Sequence, residues 1–202
     1  MNSLFLGLLL FCGSMAASAA RLESVNTRKE DGIYFVDLSI QADVPALYAH
    51  SVLADPVQFM AINPSIYKVE YLPRRADEYR RFRSSARSCA LFYCISYRNV
   101  AQMWLRENQD IELIVEPGAS DFEYGKIVWH IEALGKDSSR LSFHAENKPS
   151  FWIPPLLGTA ILQTQLASDI AATMRNMECN YRGSVPCTIT VDQYPEEAED
   201  EF

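Results

Sequence analysis

Residues 151–182, FWIPPLLGTAILQTQLASDIAATMRNMECNYR, make a long segment that carries almost no charge. A helix so poor in charge has to be covered along much of its length. Leu162, Leu166, Ile170, Met174 and Met177 recur at i, i+4, i+8, i+12 and i+15, a stripe that fits the 3.6-residue helical period. Pro154 and Pro155 suit the first turn, where a missing N–H costs little, and would break a helix interior. Strand-like sequence fills most of the chain before this segment. The expected architecture therefore lays one long helix against an antiparallel sheet, an arrangement that can enclose a cavity.

The N-terminal end predicts where the protein works. Residues 2–17 carry no charge, residues 4–12 form an apolar core, and Ala17 and Ala19 place small residues at −3 and −1 of a cleavage site. This pattern predicts a secretory signal peptide over residues 1–20, although Asn2 and Ser3 stand where a basic residue is usual. The apolar run is too short to span a bilayer core of about 30 Å. The competing reading is a bacterial lipoprotein lipidated at Cys12, and Phe11, where a small residue is wanted, argues against it. Residues 21–183 then make one domain of ordinary size. Residues 184–202 form an extension whose acidic end, residues 196–201, reads as a solvated, disordered tail.

The 202-residue chain is 49% hydrophobic, enough for a full core, and its net charge of −8 argues against nucleic acid as a partner. Apart from Cys12 it has four cysteines, Cys89, Cys94, Cys179 and Cys187. An even number in an exported chain predicts two disulfides, and the spacings favour Cys89 with Cys94 and Cys179 with Cys187, although three connectivities are open. The scattered His50, His130 and His144 and the wide cysteine gaps do not suit a metal site. With eight glycines in all and no phosphate-cradling loop, no nucleotide site and no cofactor are expected.

Alternation predicts strands over residues 22–26 and 33–41, joined at a turn by Asp31 and Gly32. Asp43 is placed to cap a helix over residues 44–53, and a second short helix over residues 55–62 is stopped by Asn63 and Pro64. Further strands follow over residues 67–72, 78–85, 90–105, 111–117, 126–134 and 139–147, with turns such as residues 73–77 between them. The fold class is α+β: a curved antiparallel sheet of six to seven strands, two short helices after its first strands, and one long C-terminal helix.

With these elements in order, the chain resembles the START-like or SRPBCC superfamily, the helix-grip fold shared by lipid-transfer domains, polyketide cyclases and coenzyme Q-binding proteins. The resemblance rests on IQADVPALY at 40–48, LADPVQF at 53–59, NPSI at 63–66, VEYL at 69–72, IVWHI at 127–131 and the closing helix. The order of elements carries it, since no single motif is diagnostic. The cysteine pairs, the leader and FWIPP at 151–155 are unlike cytoplasmic members and point to an exported, periplasmic branch.

The resemblance implies an apolar cavity between sheet and final helix that holds a lipid, quinone, sterol or similar molecule. Strand parity puts Trp129 and Phe143 on the inward face, joined by Trp104. Phe151 and Trp152 are expected at the mouth, with Leu162, Leu166 and Ile170 on the helix. Core packing alone accounts for each of these aromatics about twice as readily as ligand contact does. His130 and His144 fall on the outer face, beside Glu132 and Glu146, so no catalytic residue is assigned. The expected function is a carrier of an apolar small molecule, with transient membrane contact. The alternative is a cyclase-like or hydrolytic enzyme in which Arg80, Tyr93 or Tyr97 orients the substrate, and a bare interaction module is a third reading.

Overall fold

The computed structural model describes residues 20–73, 79–90, 93–154 and 159–183. The expected signal peptide and acidic tail, together with Cys12, Pro155 and Cys187, lie outside the described residues. Within them the chain forms eight strands and three helices. β1 (Arg21–Glu30) and β2 (Ile33–Ala42) are followed by α1 (Ala46–Leu53) and α2 (Pro56–Ile62). Then come β3 (Ile66–Tyr71), β4 (Arg80–Ala90), β5 (Tyr93–Leu105), β6 (Ile111–Val115), β7 (Phe122–Ala133), β8 (Ser139–Pro149) and α3 (Thr159–Arg182).

All the strands pair antiparallel in one sheet of order β1-β2-β8-β7-β6-β5-β4-β3. The two helices after β2 carry the chain from one side of this sheet to its far edge, and the remaining strands return by hairpins. Asp31 at φ 50° and Gly32 at φ 82° build the tight first turn. That backbone matches the right-handed twist of the flanking strands and suits an Asp-Gly pair.

The core follows strand parity. Val36, Leu38, Ile40 and Ala42 on β2 and Leu141 and Ala145 on β8 are buried on the concave face. They meet Ile170, Met174 and Met177 of α3, which sits in the curve of the sheet. The helix is also fastened by buried polar groups. The Asn176 amide donates to the Ile62 carbonyl at 2.8 Å, closing the C-terminal end of α2. The Glu178 carboxylate accepts the backbone N–H of Asp43 at 2.8 Å, and burial holds its carboxyl above the usual range. At the other end Thr27 donates to the Thr159 carbonyl at 3.1 Å and Gln163 to the Val25 carbonyl at 3.0 Å, tying α3 to β1.

Three expectations change. The sheet has one strand more than the upper end of the expected range, because all eight segments that alternate as strands pair in it. Asp43 does not cap α1: the extended backbone of Pro45 delays the helix to Ala46, and the Asp43 carboxylate instead meets Arg182 at 3.3 Å. Asp55, by contrast, caps α2 as expected, accepting the N–H groups of Val57 and Gln58. Pro154 is not part of α3, whose described residues begin at Thr159, and Pro155 lies outside the described residues.

Cys89 and Cys94 are disulfide-bonded across the β4–β5 hairpin, where they sit as a directly opposed pair. Cys179, near the end of α3, is also disulfide-bonded.

Candidate functional site

A cavity of about 280 Å³ lies between the concave face of the sheet, α1 and α2, and α3. Its helical walls are Leu53 and Pro56 on one side and Leu166, Asp169 and Ile170 on the other. Strand alternation supplies the rest: Phe82 and Ser84 from β4, Tyr97, Asn99 and Met103 from β5, Leu113 from β6, Phe122, Ile127 and Trp129 from β7, and Phe143 and Asn147 from β8. Successive side chains of a strand point to opposite faces, so the lining residues within β4, β5 and β8 share one parity, while the register shift between Phe122 and Tyr124 puts Phe122 of β7 on the same face as Ile127 and Trp129.

Two aromatic clusters stand at the two ends. Trp129 packs on Phe143 with ring centres 4.6 Å apart and on Phe59 of α2 at 6.5 Å. Tyr97 meets Phe122 edge-on at 5.4 Å and stacks on Phe151 at 6.1 Å, while Phe122 and Phe151 are 5.7 Å apart. Burial pushes the Tyr97 phenol up to about 12, with help from the negative charge of Asp169. At neutral pH it is therefore a hydrogen-bond donor and not a base. Asp169 accepts from the Ser65 hydroxyl at 2.9 Å.

Of the residues expected at the site, Trp129, Phe143, Leu166 and Ile170 line this cavity. Phe151 stands behind Tyr97 and Phe122, backing the wall. Trp152 is 69% exposed, and its carbonyl accepts from the Tyr93 hydroxyl at 3.1 Å, which ties the strap before α3 to the disulfide-closed hairpin. Leu162 falls within α3, and its side chain lies outside what is described. Trp104 is on the opposite face of β5 from Met103: it packs on Tyr79 at 4.9 Å and under the Arg106 guanidinium. The parity of β5 is set by Tyr97, Asn99 and Met103 facing inward, which sends residue 104 outward.

Among the polar candidates, Arg80 donates to the Ala54 carbonyl at 2.6 Å, and of Arg80, Tyr93 and Tyr97 only Tyr97 lines the cavity. The polar lining also includes Asn63, Ser65, Ser84, Asn99, Asn147 and Asp169. The helix stripe alone carried a signal for Asp169, which sits between Leu166 and Ile170 and so on the covered side.

The histidines lie outside the cavity lining. His130 Nδ1 pairs with Asp110 at 2.6 Å, in place of Glu132, which bonds Arg140. His144 bridges two carboxylates, Asp37 across the strand pair at 2.6 Å and Glu146 at 3.1 Å. The Asp37 contact first, then Glu146, holds the His144 imidazolium above its ordinary range. A raised folded-state value means that its contribution to stability is complete below about pH 6.5, the unfolded value, and fades as pH rises through the folded one. The side chain is 38% exposed, so solvent screening limits the gain to at most about 1 kcal/mol. His144→Gln should therefore narrow the difference in unfolding free energy between pH 5.5 and pH 8.5 (roughly one unit below and two above the free imidazole value). A chemical-denaturation series checks this, and an unchanged difference would remove His144 as the cause.

No protein-family model matches the chain, and no curated protein matches it by sequence. Solved structures do match. The Zhui aromatase/cyclase from Streptomyces sp. R1128 is 15% identical with a TM-score of 0.57, covering 73% of this chain and 95% of its own. A START superfamily protein from Mycobacterium smegmatis is 15% identical with a TM-score of 0.58, covering 74% and 97%. The lipid transfer and protein localization domain of human StarD13 is 12% identical with a TM-score of 0.53, covering 80% and 85%. These likenesses show the fold: a sheet of this order curled around a C-terminal helix, with two short helices between its second and third strands, is a START-like, helix-grip fold.

Proposed function

We propose that this protein is an exported carrier that binds a hydrophobic small molecule between its sheet and α3. The observation that supports it most is the cavity itself, walled by three helices and six strands and lined mainly by apolar side chains. Shielding apolar surface from water is worth about 25 cal/mol per Å², so such a space favours a greasy guest. Its volume is at the lower end for small-molecule sites, which fits a ring system or a single short chain better than a two-chain lipid. Two structural neighbours, a START superfamily protein and a lipid transfer domain, support this reading.

Export rests on the sequence of residues 1–20 and is supported by the Cys89–Cys94 bridge, since disulfides persist in oxidising compartments such as the bacterial periplasm. Transient contact with a membrane, from which an apolar ligand would be drawn, is part of the same proposal.

A second reading, a cyclase-like enzyme, is favoured by Tyr97 and Asp169 facing into the cavity and by the aromatase/cyclase among the neighbours. The carrier reading is preferred because most of the lining is apolar.

One preparation tests both parts. Protein purified from a periplasmic extract and extracted with organic solvent should release an apolar compound detectable by mass spectrometry. Alkylation without reductant should leave Cys89 and Cys94 unmodified. A solvent extract with no such compound would overturn the carrier reading, and alkylated Cys89 and Cys94 would overturn export.

A further inference from the structure

The chain passes a buried acid as it enters β1. Glu178, in the last turns of α3, is 5% exposed, and its carboxylate accepts the backbone N–H of Asp43 at 2.8 Å. The backbone N–H of Ala20, the residue before β1, turns to the same carboxylate. Register puts the two donors side by side: Arg21 lies opposite Gln41, so Ala20 comes level with Ala42, next to Asp43. Ala20 is half-buried and packs against the core cluster that includes Met174 and Met177. Packing, strand pairing and Glu178 together fix its place.

Charge is the second observation. Asp43 and Glu178 are two carboxylates, and among the described residues the cation bonded to this pair is Arg182, which meets Asp43 at 3.3 Å. Burial first, and the Asp43 charge after it, hold the Glu178 carboxyl above its ordinary range, against the pull of the two backbone donors and Arg182. A neutral N–H is the weaker partner for such a group, since hydrogen bonds between ionised partners are roughly twice as strong. A positive charge on the Ala20 nitrogen would complete the pairing.

The sequence supplies that charge. Ala17 and Ala19 at −3 and −1 put the cut at the Ala19–Ala20 bond, one residue short of the leader boundary at 20. Hydrolysis of this amide by a leader-removing protease consumes one water, leaves a carboxylate on Ala19 and turns the Ala20 N–H into an α-ammonium. Resting on the export proposed above, we infer that the mature chain begins at Ala20 and that its new α-ammonium docks on Glu178, a buried receptor for the processed terminus. The ion pair ties the start of β1 to the C-terminal end of α3, as Thr27 and Gln163 tie β1 to the helix's other end. Leader removal thus fastens both ends of α3 to one edge strand.

Protein exported to a periplasm and purified from it tests this. Its intact mass should be that of a chain beginning at Ala20. At about pH 7, below the value of about 7.7–8.0 for a free α-amino group, trace acetic anhydride should acetylate this amine slowly. The rate, read at residue 20 by peptide mass spectrometry, should be at least about tenfold below that of the same chain extended by Gly-Ser, whose ammonium is held away from Glu178. Glu178→Gln should bring the rate to within a few-fold of the extended chain, and the comparison of the two unaltered chains needs no variant to fold. A mass beginning at any other residue, or equal acetylation of the two chains, would overturn the inference and leave export standing. Recovery of the uncut chain from the cytoplasm would overturn export and the inference with it.

Discussion

Met174→Ala is expected to lower the free energy of unfolding by about 3 kcal/mol, within the usual 2–5 kcal/mol for emptying a buried methionine site. Met174 is fully buried at the middle of the contact between α3 and the concave face. Its neighbours on the same stripe, Ile170 and Met177, are buried too, so the helix has no slack with which to close the gap. For a domain of this size the loss corresponds to a fall in melting temperature of roughly 6–12 °C. Met174→Leu, which keeps the volume, should cost less than about 1.5 kcal/mol. Urea titrations of both variants check this, and similar losses for both would mean that the site responds to shape and not to missing volume.

That helix is where the sequence speaks most clearly and where its limits also show. Ile170, Met174 and Met177 announce a covered face through period alone, because apolar side chains at helical spacing are buried whatever they meet. Asp169, Asn176 and Glu178 lie on the same covered side, yet beyond the place of Asp169 between Leu166 and Ile170 nothing in their spacing marks them. Their burial is made acceptable by Ser65, the Ile62 carbonyl and the Asp43 N–H, more than a hundred residues away in sequence. Trp104 shows the opposite error. Its bulk suggests a wall, but a strand assigns faces by parity, and on β5 Met103, not Trp104, has the inward side. The order of elements was readable because turns and caps are local, as at Asp31, Gly32 and Asp55.

Gly125→Ala is expected to cost about 2 kcal/mol although Gly125 sits in the middle of a strand, where alanine is ordinarily the better residue. A Cβ at this position would fall 2.3 Å from Val115 Cγ2 and 2.9 Å from Asn147 Oδ1, both far inside contact distance. Val115 is buried and leans over the glycine from β6, while Asn147 faces it from β8. The methyl must displace one of them, and Asn147 is part of the polar lining of the cavity. Val115→Ala frees the same space. The double variant should therefore cost clearly less than the sum of the two single changes, a coupling expected only between residues in contact. Additive losses in a double-mutant cycle of urea titrations would show that the strand relaxes around the methyl without involving Val115.

The sheet does not close on itself: β1 and β3 each have a neighbour on one side only. Unpaired strand edges are templates on which a second chain can add, and proteins that last keep them occupied. Here α3 attends to both rims. Its N-terminal turns are bonded to the backbone of β1 through Thr27, Gln163 and Val25, and its middle reaches Ser65 at the start of β3. A chain ending before Thr159 would lose more than a cavity wall, because two open rims and an apolar hollow would then face solvent together. Its expected failure is self-association through added strands, so the helix that walls the cavity is also the element that shields the sheet's rims.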